Sequence, residues 1–90
     1  GCPLISMSYN VECAGSTNWV RVNGEIESYD GEPLCAMVLS NGQHMFTCGS
    51  YLGHYDLPVP VDENGQITVF GFVHDYQPAR KILTAPVCGP

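Results

Sequence analysis

Apolar and polar residues alternate along most of this chain in short runs separated by Gly, Pro, Asn and Asp. That is the pattern of half-buried β-strands joined by turns. In NWVRVNGEIESY, residues 18–29, Val20, Val22 and Ile26 fall on one face while Arg21, Asn23, Glu25 and Glu27 fall on the other. Asp30-Gly31 and Pro33 then punctuate a turn. LCAMVLS, residues 34–40, is almost continuously apolar, as a buried strand is. Asn41-Gly42 leads into QHMFTC, and after GSYLG the stretch HYDLPVPV alternates Tyr55, Leu57, Val59 and Val61. Pro58 and Pro60 have no N–H to give a ladder, which predicts a strand at an edge or one that ends early. DENGQ makes another turn, ITVFGFVHDY reads as a strand apolar on both faces, Pro78 interrupts, and ARKILTAPV supplies the last strand. No window carries apolar residues at the i, i+3, i+4, i+7 spacing of an amphipathic helix. Six or seven strands at intervals of roughly ten residues predict an all-β, antiparallel sandwich or barrel over residues 19–90. Residues 1–18 are less periodic and read as an N-terminal arm or an extra strand.

The run CAMVLSNGQHMFTC fixes one register. Asn-Gly is the preferred pair for a two-residue type I′ hairpin, because both positions take positive φ. With Asn41-Gly42 at the turn, Ser40 faces Gln43, Val38 faces Met45, Met37 faces Phe46 and Cys35 faces Cys48. Counting outward, the cysteine pair is non-hydrogen-bonded, the kind in which side chains approach most closely and a disulfide is accommodated. Closing that loop stabilises the fold by roughly 3 kcal/mol in the chain-entropy description. Cys2, Cys13 and Cys88 remain, and each of their three pairings leaves one thiol over. Cys13–Cys88 ties the N-terminal segment to the last strand, whereas Cys2–Cys13 closes a local loop. The leftover thiol points to an intermolecular bridge, for which Cys2 or Cys88 is suited by its place near a terminus. The pairing carried forward is Cys13–Cys88, with Cys2 left for a second molecule.

Composition narrows the function classes. Ninety residues make one domain near the size at which a core alone is marginal, where staples are usual. Five cysteines without any CxxC point to an oxidising, extracellular or surface setting rather than to a zinc ribbon or a thioredoxin-like site. A net charge of −6, with only Arg21, Arg80 and Lys81 basic, speaks against nucleic acid and anionic lipid as partners. No apolar run approaches membrane-spanning length, so no membrane insertion is expected, and any signal peptide would lie outside these residues. His44, His54 and His74, with Asp56, Asp62 or Asp75, raise a metal site, but they fall on separate strands or strand ends and none is expected. Asp62-Glu63-Asn64-Gly65 lacks the spacing and distal Glu of a calcium loop and reads as a turn. There is no G-x-S-x-G or comparable nucleophile context, so neither catalytic residues nor a cofactor are expected. Trp19, Tyr9, Tyr29, Tyr51, Tyr55 and Tyr76 are candidates for a sugar-binding platform, and equally for core and rim.

Several stretches occur in a familiar order. Gly24-Glu25-Ile26, Asp30-Gly31-Glu32-Pro33-Leu34 with the apolar strand after it, Gly53-His54-Tyr55-Asp56-Leu57-Pro58-Val59, and Gly65 through Gln77-Pro78 resemble the successive motifs of carboxypeptidase regulatory-like domains. The match runs over residues 20–84. It departs from the family at Asp75, where Gly is frequent, and in the added Cys35/Cys48 pair. The resemblance implies a transthyretin-like (prealbumin-like) β-sandwich of about seven strands with no catalytic residues to carry over. More faintly, the chain is similar to bacterial secreted variants, including the globular second component of short pilins. The resulting expectation is a non-catalytic extracellular structural protein, a self-associating subunit of a surface assembly or filament. Strand addition by an arm bearing Leu4, Ile5, Met7, Tyr9 and Val11, together with disulfides, would hold it. The alternative is an accessory module that recognises a glycan or a partner protein.

Overall fold

Strict period-two patterning is realised almost residue for residue. The computed structural model describes residues 5–15, 18–28, 34–49, 53–61, 65–73 and 78–88. They form β1 (Ile5–Met7), β2 (Asn10–Cys13), β3 (Trp19–Ser28), β4 (Leu34–Ser40), β5 (Gln43–Gly49), β6 (His54–Pro60), β7 (Gln66–Val73) and β8 (Ala79–Thr84), with no helix among the described residues. All pairings are antiparallel. In the first sheet β3 is central, with β6 on one side and β1 and β2 end to end on the other; the second sheet runs β5-β4-β7-β8.

The two sheets pack through the residues that the alternation points inward. Val20, Val22 and Ile26 of β3 with Tyr55, Leu57 and Val59 of β6 meet Leu34, Ala36 and Val38 of β4 and Ile67, Val69 and Val73 of β7, all buried. Burying a side chain of this kind contributes roughly 1.5–3 kcal/mol. Ser40 is the one polar side chain in this interior among the described residues, and its hydroxyl donates to the Pro60 carbonyl across the sheets.

Pro58 and Pro60 do lie on an edge strand. Val61 N–H donates to Asn18 O across to the chain leading into β3, so odd-numbered residues of β6 face β3 and even-numbered ones face the open side. The missing proline donors therefore fall where no ladder needs them. The Asp30-Gly31, Pro33, Asp62 and Asp75 positions, together with His74, Tyr29, Tyr51 and Tyr76, lie outside the described residues.

Residues 5–13 do not stand off as an arm. Ile5, Met7, Tyr9 and Val11 turn toward the chain's own core, Ile5 buried within it and the others packed against it; Leu4 is outside the described residues. β1 and β2 share one register on β3, Met7 opposite Ile26 and Asn10 opposite Asn23, and the break between them has a local cause. At the break, the Ser8 hydroxyl accepts from Glu25 N–H at 2.8 Å, while Ser8 N–H still donates to the Glu25 carbonyl. The Ser8 carbonyl is thereby freed and accepts from the Tyr55 phenol at 2.7 Å. Gly24 makes the close approach possible, since a Cβ there would run into the Ser8 backbone.

Both disulfides form. Cys35 and Cys48 face each other in the β4–β5 ladder with Cα atoms 4.1 Å apart. Asn41 and Gly42 at the turn have φ of 53° and 71°, the two positive values a type I′ turn needs. Cys13 bonds Cys88, Cα atoms 5.6 Å apart, joining β2 of one sheet to the segment that follows β8 of the other. Cys2 lies outside the described residues.

Candidate functional site

The outward faces of the two sheets are dressed unequally. On the first, β2, β3 and β6 present Asn10, Glu12, Arg21, Asn23, Glu25, Glu27 and Asp56. These side chains largely satisfy one another: Asn10 Nδ2 donates to Asn23 Oδ1, Asn23 Nδ2 donates to Glu12 Oε1, and Arg21 Nε donates to Asp56 Oδ1 at 2.9 Å. All four acidic residues among the described positions lie on this face. It is an ordinary solvated surface, with Trp19 half exposed opposite Pro60.

The second sheet turns an apolar face outward. The register sets Phe46, Met37, Phe70 and Arg80 in one row across β5, β4, β7 and β8, and His44, Leu39, Thr68 and Ile82 in the next. A third row holds the Cys48–Cys35 bridge beside Phe72. Phe46 is 61% exposed, Ile82 56% and Leu39 39%, whereas Met37, Phe70 and Phe72 are half buried by their neighbours. β4 thus differs from its reading as a buried strand. It is central in its sheet, but the first sheet covers only Leu34, Ala36, Val38 and Ser40, and nothing among the described residues covers Met37 and Leu39.

β5 is largely exposed. Met45 points toward the first sheet, opposite Val38, yet stays 40% exposed, so this strand overhangs the core. The pair next to a two-residue turn is hydrogen-bonded and pairs alternate from there, so Gln43, Met45, Thr47 and Gly49 bond to β4. His44, Phe46 and Cys48 aim their N–H and C=O groups at the other side, where no described strand pairs with them. The His44 and Phe46 rings lie stacked, centroids 6.2 Å apart.

No protein-family model, no curated protein and no solved structure matches the chain.

The remaining sequence candidates are dispersed. His44 lies on β5 and His54 opens β6 in the other sheet, and among the described residues no three His, Cys, Asp or Glu side chains gather as metal ligands. Tyr55 is core and Tyr9 is packed against it; burial raises the phenol pKa of both, and Tyr9 adds to the rise at Tyr55. An open groove of about 320 Å³ beside β1 and β3 is lined by Ser6, Ser8, Glu25, Glu27 and Gly53 among others. Its Ser8 hydroxyl is already committed to the backbone of Glu25. The Phe46–Met37–Phe70 row is not among the aromatic candidates offered by Trp19 and the tyrosines. The signal was present: LCAMVLS and ITVFGFV are apolar at both parities, in a fold that covers only one face of each.

Proposed function

We propose that this chain is a non-catalytic, extracellular structural protein, a transthyretin-like β-sandwich whose copies associate through the second sheet as a subunit of a surface assembly. One observation carries the reading: the second sheet ends in an apolar outer face and an unpaired, uncharged strand, while the first is closed by a polar network. Clustered exposed apolar side chains of this kind mark interaction sites. Two disulfides in a chain this small fit an oxidising compartment, and no helix among the described residues is long and apolar enough to cross a membrane. Cys2 is the remaining thiol for a covalent link between copies, and non-reducing electrophoresis reads whether one forms.

The test is sedimentation of the oxidised protein over a concentration series. The mass of the native chain rises with concentration, and Phe46→Glu returns it to the monomer without unfolding it, because Phe46 is largely exposed. A native protein that stays monomeric at every concentration overturns the reading. A second reading, recognition of a glycan, is favoured by Phe46 and Phe70 standing on a flat sheet face. Met37 between the two rings and Leu39 beside it offer no hydrogen bond to a sugar hydroxyl, and the polar groups flanking them, His44, Thr68 and Arg80, are fewer than the apolar ones, which favours protein over carbohydrate as the occupant. Oligosaccharide titration followed by NMR distinguishes the two, since glycan binding shifts the Phe46 and Phe70 ring signals at constant mass.

A further inference from the structure

We infer that the copies meet edge to edge: β5 of one chain adds antiparallel to β5 of a second copy, extending the β5-β4-β7-β8 sheet with Phe46 opposite the partner's Phe46. This rests on the self-association proposed above and names the strand, the partner and the register.

Among the edges formed by described residues, β5 is the one without a deterrent to pairing. The β6 edge carries Pro58 and Pro60 at positions that face outward, so it cannot donate there. The β8 edge carries Arg80 and Lys81, charged side chains of the kind that blunt a sheet edge. The edge made by β1 and β2 is broken at Ser8, where the backbone turns its carbonyl to Tyr55. β5 reads Gln-His-Met-Phe-Thr-Cys-Gly, without proline, Lys, Arg, Asp or Glu, in a chain of net charge −6. The acidic residues among the described positions lie on the outer face of the other sheet, so two β5 strands approach without like charges opposed.

The strand is also held ready. The type I′ turn at one end and the Cys35–Cys48 bridge near the other fix β5 on β4, so little ordering remains to oppose association. The register follows from which groups are free. Antiparallel partners exchange two hydrogen bonds at each hydrogen-bonded pair, and the free groups belong to His44, Phe46 and Cys48. Centring the dyad on Phe46 pairs all three, His44 with the partner's Cys48 and the reverse, whereas a dyad on Met45 or Thr47 leaves one residue outside the ladder. The same register brings the Phe46 rings of both copies onto one outer face, and the two apolar surfaces become continuous.

The experiment compares the native chain, His44→Pro and Ile82→Glu by sedimentation under oxidising conditions. His44 N–H takes no part in the β4–β5 ladder, so proline removes an outward donor from each copy and leaves the hairpin intact, as Pro58 and Pro60 do in β6. Losing two such bonds lowers the association constant about tenfold or more, while Ile82→Glu, on the far strand, leaves it unchanged. Amide exchange of the native chain gives a readout free of any variant: on association, the His44, Phe46 and Cys48 amides slow with rising concentration. Dissociation by Ile82→Glu but not by His44→Pro, with those amides unprotected, overturns edge pairing and leaves self-association standing. A native chain that never associates overturns both.

Discussion

Tyr55, Ser8 and Gly24 form one device. Tyr55 is a fully buried phenol that donates to a backbone carbonyl, and that carbonyl is available because the Ser8 hydroxyl took over its place in the ladder. Tyr55→Phe leaves the Ser8 carbonyl without its donor and lowers unfolding free energy by about 1–3 kcal/mol in urea titrations. The same phenol sets a pH dependence. Its folded pKa is raised above the ordinary 10.0 by burial first and by Tyr9 second. The neutral form is favoured by the fold, so this stabilisation is complete below about pH 10 and is lost as the pH rises beyond it. Stability measured at alkaline pH falls in the native chain, and the slope is shallower in Tyr55→Phe. Gly24→Ala drives a methyl into the Ser8 backbone and costs about 1–3 kcal/mol, read by the same titrations.

Among the elements, the β4–β5 hairpin was fully legible from sequence because its information is local: Asn41-Gly42 dictates the turn, and the turn dictates that Cys35 meets Cys48. The β6 edge was legible for a similar reason, since Pro58 and Pro60 veto a central position whatever else packs nearby. Two other features were not. Whether Ile5, Met7, Tyr9 and Val11 serve their own sheet or another is a question of which β3 edge is vacant, and that depends on β6 taking the opposite side. The apolar face was hidden in plain alternation, because LCAMVLS spells the same pattern whether one face of β4 is covered or two. Removing the hairpin staple by Cys35→Ser with Cys48→Ser lowers stability by roughly 3 kcal/mol, given the short loop it closes. Calorimetry or urea unfolding measures it.

For the whole molecule, the two bridges act over different lengths. Cys13–Cys88 spans 75 positions against 13 for Cys35–Cys48, and the entropy removed from the unfolded chain grows with the loop. Replacing Cys13 and Cys88 together costs about 4.5 kcal/mol, more than the hairpin pair, and the ordering of the two unfolding midpoints checks it. The long bridge also has a mechanical consequence. Tension entering the chain ahead of Cys13 and leaving beyond Cys88 crosses from one sheet to the other through a covalent link between Cα atoms 5.6 Å apart. Everything between those cysteines, β3 through β8 with the hairpin, is bypassed by the load. Only the residues ahead of Cys13, laid along β3 by hydrogen bonds, peel under force, so a pulled subunit yields a short length of β1 and β2 and then stops, inextensible until a sulfur–sulfur bond breaks.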